Sequence, residues 1–340
     1  MCGAGSDSVG EKRVDLVFEG GGVKGVGLVG ALSVLEERGY KPQRVAGTSA
    51  GALLAALLAA GYTASSLRRI FLELDFSRFK DTAWEDRIPL IGAPLSLLKD
   101  QGFYEGKALL EYVRELLSAG NVGTFGDLVT HEPTDEMRYR YKAQVTASDI
   151  TGRQLLVLPR DAHKLGVAEP DDFEVALAVR MSAGMPFYFE PVRFLNPVTR
   201  RKHFVVDGGI LSNFPVWLFD AAGEPRWPTF GLRLVEENPR SSLDRRMEPA
   251  TYPAGRISGT IDYVKNLVYT MLEAHDRRYI EMSDFARTIS IPTLEVRTMD
   301  LDLPQEKKQL LYDAGRAAAE QFLETWSFKD YIERFRRRDE

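Results

Sequence analysis

The feature that most constrains how this chain folds is an uncharged stretch at residues 45–67, which is rich in Ala and Leu. Because roughly 20 apolar residues suffice to cross a bilayer, a membrane helix is the first interpretation to test. Several glycines and hydroxyl residues interrupt the stretch, and the remaining run at residues 50–60 is about three helical turns long. That length is typical of a helix in a protein core, so the stretch predicts a buried helix.

Short apolar segments alternate with helical ones along the chain. The chain opens with a strand, a helix, a second strand and the Ala-rich helix, and such a βαβα order predicts a parallel sheet with helices on its faces. Strands are predicted at residues 14–18, 44–47, 140–148, 154–159, 203–209 and 229–235, and helices at 27–39, 50–60, 106–117, 173–181, 260–282 and 304–326.

Two stretches depart from this alternation, at about residues 76–102 and 236–259, and we expect both to be insertions over the core. Residues 1–13 are polar and rich in Gly and Ser, which predicts a disordered tail. The charged residues 329–340 are expected to form a solvated C-terminal tail. The length of 340 residues leaves one or two domains open.

Composition excludes several classes of protein. The net charge of −5 offers no basic surface for nucleic acid, so we expect no such partner. Cys2 is the single cysteine, so no intrachain disulfide or thiolate metal cluster can form. No apolar signal sequence precedes Val14, which favours a cytoplasmic location. Metal-binding sequence patterns are also missing, so we expect neither a metal nor a cofactor, and calcium-independent activity.

A serine stands on the corner between the second strand and the Ala-rich helix. Residues 47–51 read GTSAG, which matches the G-x-S-x-G pattern of a nucleophile elbow in its proper strand-to-helix context. The N–H groups and positive dipole end of the following helix would stabilise an anion at Ser49. A tight turn that merely packs strand against helix remains the alternative for this motif alone.

A glycine-rich loop, EGGGVKG at residues 19–25, follows the first strand. Consecutive glycines leave backbone N–H groups accessible to an oxyanion, and Lys24 adds a positive charge. The same segment matches the dinucleotide pattern G-x-G-x-x-G, so a nucleotide-binding protein is an alternative. That alternative is disfavoured because the second strand lacks the acidic residue that binds ribose, and no P-loop pattern occurs.

A third motif, DGG at residues 207–209, follows the apolar run HFVV. An Asp at the end of a strand can be presented by its loop at the same sheet edge as Ser49. Alone, the motif would indicate only a turn.

Together, EGGGVKG, GTSAG and DGG in this order resemble the patatin-like phospholipase family. Further segments that look like bacterial members occur at residues 102–113, 124–128, 145–157, 179–192 and 205–216. The resemblance covers nearly the whole chain and implies one catalytic domain at residues 14–328, with a three-layer α/β/α fold and a mostly parallel central sheet. It also implies a Ser-Asp dyad that hydrolyses acyl esters of phospholipids or other lipids.

The resemblance assigns roles to individual positions. Ser49 would be the nucleophile and Asp207 its general base. The oxyanion and substrate-binding loop would contain Gly20, Gly21, Gly22, Lys24 and Gly25. Glu19 departs from the Asp that many relatives have before the glycines, and we expect no mechanistic effect of this difference.

A histidine could replace Asp207 as the base only in a triad ordered Ser, Asp, His. His275 alone follows Asp207 among the four histidines, and it lies within a helical pattern rather than at a strand end. The sequence therefore favours the dyad.

The substrate class rests on apolar segments near these motifs. IPLIGAPLSLL at residues 88–98 could form an apolar rim for acyl chains or a bilayer surface, or an ordinary cap on the core. MSAGMPFYFEPV at residues 181–192 could line an acyl pocket, although we expect at least half of its apolar side chains to pack in the core. We therefore expect a lipid ester substrate and peripheral membrane contact. An effector that stays inactive until an unknown activator binds is the other function left open.

Overall fold

The structure of the protein is a computed structural model that describes residues 12–74, 79, 104–130, 136–221, 223–236, 282–296, 298, 300 and 302–337. Within these residues, eight strands form one sheet: β1 (Lys12–Phe18), β2 (Tyr40–Gly47), β3 (Ala143–Asp149), β4 (Gln154–Leu158), β5 (Val192–Leu195), β6 (Lys202–Asp207), β7 (Thr229–Val235) and β8 (Thr288–Pro292). The strand order is β5-β6-β3-β2-β1-β7-β8, and β4 pairs with β3.

The described helices lie between and after these strands. They are α1 (Gly25–Glu37), α2 (Ala50–Ala59), α3 (Ala64–Glu73), α4 (Lys107–Ala119), α5 (Met137–Arg140), α6 (Val175–Ser182), α7 (Met282–Ala286), α8 (Gln305–Thr325) and α9 (Phe328–Phe335). The predicted α/β fold with a helix-flanked, mostly parallel sheet is confirmed, since four strand pairings are parallel and three, all on the β3 side, are antiparallel.

Strand β1 shows how the sheet separates two hydrophobic cores. Side chains alternate between the faces of a strand, so Leu16 and Phe18 enter the main core with α1 and α2, whereas Val17 enters a smaller core on the other face. The short 3₁₀ turn Val216–Phe219 covers that second face. The central strands are therefore buried on both sides, as their uninterrupted apolar sequence requires.

The Ala-rich helix lies in the protein core. Seven of the ten residues of α2 are buried, so the prediction of a buried helix is confirmed. Among the described residues, no helix combines the length and the apolar character needed to cross a bilayer.

The chain differs from the sequence prediction at its C-terminal end. The predicted solvated tail begins within α9, whose Phe328, Tyr331, Ile332 and Phe335 follow helical spacing. Tyr331 and Ile332 are buried, because this apolar stripe packs against the core while the charged residues face outward.

Other sequence predictions have different outcomes. Helix α3 and strands β5 and β8 were not predicted. Strand β1 begins at Lys12, inside the predicted N-terminal tail. The predicted helix at residues 260–282 and the two insertions lie outside the described residues, apart from Phe79, Glu236 and Met282.

Candidate active site

Ser49 occupies a sharp corner between β2 and α2. Its backbone has φ +54° and ψ −120°, a conformation that costs a non-glycine residue about 1–3 kcal/mol. The turn is possible because Gly47 and Gly51, two positions before and after Ser49, carry no side chains. A Cβ at Gly47 would overlap the carbonyl of Gly51, and a Cβ at Gly51 would lie 2.6 Å from the carbonyl oxygen of Glu19. The GTSAG sequence therefore fits a strained corner that presents the serine.

The pairing of β3 explains how the loop after β6 reaches this corner. Val145 pairs with Gly47 of β2 on one edge of β3 and with β4 on the other. Two residues later, Ala147 pairs with β4 and with Asp207 of β6. Strands β2 and β6 therefore share one edge of β3, run in opposite directions and meet end to end. Because both chains turn away from the sheet at that point, the loops carrying Ser49 and Asp207 become neighbours.

The Asp207 carboxyl group is buried beside the serine. It is 2% exposed, accepts a hydrogen bond of 2.8 Å from the Gly209 N–H and is in hydrogen-bonding contact with the Ser49 hydroxyl. Burial raises the pKa of Asp207 to about 6, although both hydrogen bonds favour the carboxylate. A carboxyl group with this pKa is ionised at neutral pH and is basic enough to accept a proton.

A polar cluster beneath the two loops ties them together. The hydroxyl groups of Thr48 and Thr146 lie 2.6 Å apart, and both contact the carbonyl oxygen of Ser212, at 3.1 and 3.3 Å. Thr48 precedes the serine, and Ser212 lies in the loop after Asp207. Both threonines are fully buried. The cluster therefore fixes the spacing between the Ser49 and Asp207 loops.

The glycine-rich loop lies beside the serine, but two of its predicted N–H donors are occupied. The N–H of Gly20 donates to the Asn213 carbonyl at 3.1 Å, and the N–H of Gly25 donates to carbonyls of the preceding 3₁₀ turn. These two amides are therefore not placed to donate to an oxyanion, and the assignment of Gly20 and Gly25 to the oxyanion and substrate-binding loop stays a prediction. Within the described part of the chain, Gly21 and Gly22 remain as candidate donors, and Gly22 lines the same cavity as Ser49.

Lys24 and Gly25 contribute to the shape of this loop. Gly25 is the first residue of α1, so the loop leads directly into the N-terminus of that helix. Lys24 is half-buried, and its aliphatic side-chain carbons pass over Gly21. The positive charge of Lys24 and the dipole of α1 make this end of the sheet favourable for a developing anion.

A narrow apolar cavity of about 60 Å³ opens at Ser49. Its walls come from the glycine loop, α2, α3, α4 and the segment after α6. The lining residues are Gly22, Ser49, Ala50, Leu53, Phe71, Leu74, Phe79, Leu109, Val179, Ala183, Met185, Tyr188, Phe189 and Thr298. Ala183, Met185, Tyr188 and Phe189 of the MSAGMPFYFEPV segment line the cavity, whereas Met181 is buried in the core. The IPLIGAPLSLL segment lies outside the described residues.

A larger cavity of about 670 Å³ lies at the opposite ends of the central strands. Arg44 is its central feature, because its guanidinium group binds Asp15 through two hydrogen bonds and stacks 4.1 Å from the Tyr139 ring centroid. Burial raises the pKa of Asp15, and the Arg44 partner opposes that rise. These contacts compensate the buried charges of Arg44 and Asp15, so we interpret this group of residues as one that stabilises the fold.

One described histidine, His203, is distant from the Ser49 corner. His203 lies near the start of β6, four residues or roughly 13 Å along the strand from Asp207. Its Nδ1 is 2.8 Å from the Asp149 carboxylate. Burial raises the pKa of Asp149, but hydrogen bonds from Gly152, His203 and Gln154 outweigh burial, so the pKa is lowered overall. His131 and His275 lie outside the described residues.

No group of three potential metal ligands occurs among the residues that the structure describes. Three side chains that support the corner are not predicted from the sequence: Thr146, Ser182 and Asn213. They lie in the resembling segments 145–157, 179–192 and 205–216, but nothing in those segments shows that these side chains reach the GTSAG corner, and only the fold brings them there.

Comparison with known proteins places this site in a family. The family model described as patatin-like phospholipase matches residues 16–220, which include the glycine loop, Ser49 and Asp207. The chain is 36% identical over 315 residues to the uncharacterised protein YqhO of Bacillus subtilis, covering 93% of this chain and 99% of that protein. It is 24% identical over 209 residues to a probable lipid hydrolase of invertebrate iridescent virus 6, covering 59% and 61% of the two chains.

A solved structure supports the same assignment at the level of fold. VipD from Legionella pneumophila superposes with a TM-score of 0.54 at 19% sequence identity, covering 93% of this chain and 67% of VipD. The family match extends over more than half of the sequence. The alignment with YqhO covers nearly the full length of both proteins. The chain therefore belongs to the patatin-like phospholipase family.

Proposed function

We propose that this protein is a serine acyl hydrolase that cleaves lipid esters through a Ser49–Asp207 dyad. The observation that carries the proposal is the contact between the Ser49 hydroxyl and a buried carboxyl group of pKa about 6, at the mouth of an apolar cavity. A serine hydroxyl is a weak nucleophile until a positioned base removes its proton. Asp207 is suited to that role.

Acylation is the first half of the reaction. Ser49 Oγ attacks the ester carbonyl carbon as its proton moves to the Asp207 carboxylate, and the carbonyl electron pair moves to the oxygen. The N–H groups of Gly21 and Gly22 are the proposed donors to that oxyanion. When the tetrahedral intermediate collapses, the carbon–oxygen bond to the alcohol breaks. The alcohol leaves with the proton from Asp207, and the acyl group remains on Ser49.

Deacylation repeats these steps with water as the nucleophile. Asp207 removes a proton from water, the resulting hydroxyl attacks the acyl carbon, and the ester bond to Ser49 breaks. The proton returns from Asp207 to Ser49 Oγ, and a fatty acid leaves. The cycle needs no metal or cofactor.

The lipid substrate is inferred from the apolar wall of the cavity and from the relatives. A cavity lined by aliphatic and aromatic side chains favours a hydrocarbon chain over a polar acyl group. The similarity to a probable lipid hydrolase points to the same class of substrate. We assign phospholipids or other lipid esters as substrates, with peripheral contact at a membrane surface.

Covalent labelling tests the nucleophile without knowledge of the head group. A fluorophosphonate probe is expected to label Ser49, as mapped by mass spectrometry, and Ser49→Ala is expected to remain unlabelled. Wild-type protein is then expected to release fatty acid from phosphatidylcholine vesicles, with Ser49→Ala as the inactive control. Labelling at a different serine would contradict the assignment of the nucleophile.

A second candidate is the same hydrolase in a form that needs an activator. The cavity volume favours it, because about 60 Å³ is far below the roughly 300–1,000 Å³ of typical small-molecule sites. In this case hydrolysis of a soluble short-chain ester is slow alone and rises when vesicles or an activating partner are added. Equal rates with and without them would exclude this candidate.

A further inference from the structure

The strained backbone of Ser49 has to be held in place by its surroundings, because nothing local favours it. The Ser49 N–H does not enter the helix ladder of α2. It donates instead to the side-chain oxygen of Ser182, at 2.9 Å. Ser182 is the last residue of α6 and is completely buried, so this acceptor is shielded from water.

The same short segment also holds Asp207. Two residues after Ser182, the Gly184 carbonyl accepts a hydrogen bond of 2.9 Å from the Asp207 N–H. The backbones of Ser49 and Asp207 are thus bonded to positions 182 and 184 of one continuous segment. Their separation therefore depends on where the end of α6 lies.

Buried contacts anchor this segment on its N-terminal side. Arg180 lies two residues before Ser182 in α6, and its guanidinium group donates to the carbonyls of Gly106 at 3.0 Å and Glu190 at 2.8 Å. On its other side the segment faces the apolar cavity, since Ala183 and Met185 line it. An acyl chain in that cavity would contact the segment that spaces the two reacting side chains.

We propose that Ser182 is a positioning residue: its hydroxyl holds the Ser49 backbone so that the Ser49 side chain stays against Asp207. The inference rests on the proposed function and goes beyond it, because Ser182 touches neither substrate nor the reacting atoms. Its effect on the reaction passes through the geometry of Ser49.

The test compares Ser182→Ala and Ser182→Cys with the wild type. Alanine removes the acceptor, whereas a thiol retains the size of the side chain and provides a weak acceptor. Because a misplacement of about 1 Å can reduce a rate about a hundredfold, kcat is expected to fall about tenfold to a hundredfold in Ser182→Ala, with KM little changed. Ser182→Cys is expected to lie between Ser182→Ala and the wild type.

The pH profile separates positioning from a general loss of stability. When Ser49 moves, Asp207 loses a hydrogen bond that favours its carboxylate, so the acid limb of the kcat profile shifts to higher pH. The matched control is Ser33→Ala, which removes another buried serine hydroxyl, bonded to the Gly30 carbonyl within α1. Ser33→Ala is expected to lower the melting temperature without changing kcat or the acid limb.

The outcomes distinguish this inference from the proposed function. If the wild type neither labels at Ser49 nor hydrolyses lipid, the proposed function fails. If the wild type is active but Ser182→Ala retains its kcat and its acid limb, only the positioning role is overturned. If Ser182→Ala is too unstable to purify, Ser182→Cys decides: an unchanged kcat and acid limb refutes the inference, and a lower kcat with a shifted acid limb supports it.

Discussion

Replacing Asp207 with Asn is expected to stabilise the protein at alkaline pH while abolishing hydrolysis. Asn retains an oxygen that can accept the Gly209 N–H bond, but it carries no charge. Burial raises the pKa of Asp207 from 3.8 to about 6, so keeping this carboxylate charged in the folded protein costs about 3 kcal/mol.

The sign of the pH effect follows from proton binding. Between pH 3.8 and about 6 the folded protein holds a proton that the unfolded chain has released, so this group makes stability fall as the pH rises. The free-energy cost of the buried Asp207 charge is small below pH 3.8 and reaches its full value above about pH 6. Asp207→Asn has no charge to bury and is free of this cost. The free energy of unfolding of Asp207→Asn, relative to that of the wild type, should therefore increase between pH 5 and pH 8 by about half of the 3 kcal/mol.

Urea unfolding of both proteins at pH 5 and pH 8, followed by circular dichroism, measures this difference. Asp127→Asn is the matched control: backbone hydrogen bonds from Thr124 and Gly123 lower the pKa of Asp127, so it is ionised at both pH values in both states. Its stability difference from the wild type should not change with pH. A constant difference for Asp207→Asn would refute the account of Asp207 as a buried, destabilised carboxylate.

Three further predictions concern the same site. Gly22→Ala is expected to reduce kcat about a hundredfold or more by disturbing the oxyanion loop, since φ is +56° there and a Cβ would lie 2.6 Å from the Thr298 carbonyl oxygen. A folded variant with kcat near the wild-type value would argue against the role of that loop. The kcat/KM profile of the wild type should fall below a pH near 6 as Asp207 becomes protonated, and a profile flat down to pH 4.5 would exclude Asp207 as the base. Gly51→Ala is expected to unfold at a lower urea concentration than the wild type, because its Cβ would overlap the Phe18 carbonyl. Gly223→Ala is the control and should unfold like the wild type, because a Cβ there meets no neighbour within 4 Å.

Sequence patterns predict the features of this fold that depend on neighbouring residues. The corner at Ser49 follows from glycine spacing between a strand and a helix, and α2 follows from an Ala-rich run of the right length. C-terminal helix α9 is not predicted from the sequence, because charged residues obscure its apolar stripe at Phe328, Tyr331, Ile332 and Phe335. An amphipathic helix can be found in such a segment only by following the spacing of its apolar residues.

Other features depend on contacts that no local pattern records. The loss of Gly20 as an N–H donor is caused by the Asn213 carbonyl, from a loop that the sequence does not place beside it. Ser182 bonds to Ser49 across 133 positions of the chain. The antiparallel pairing of β6 could not be inferred from an alternation that favours parallel strands. Each of these contacts exists only after the sheet has assembled.

The shared edge of β3 also bears on the order of events during folding. Thr48 and Ser212 meet there although 164 positions separate them. Closing so long a loop has an entropic cost that is recovered only when both ends dock on a strand that is already formed. A chain with its first helices folded but β6 still undocked therefore has the serine corner without its carboxylate, and the proposed dyad forms only when β6 docks on β3.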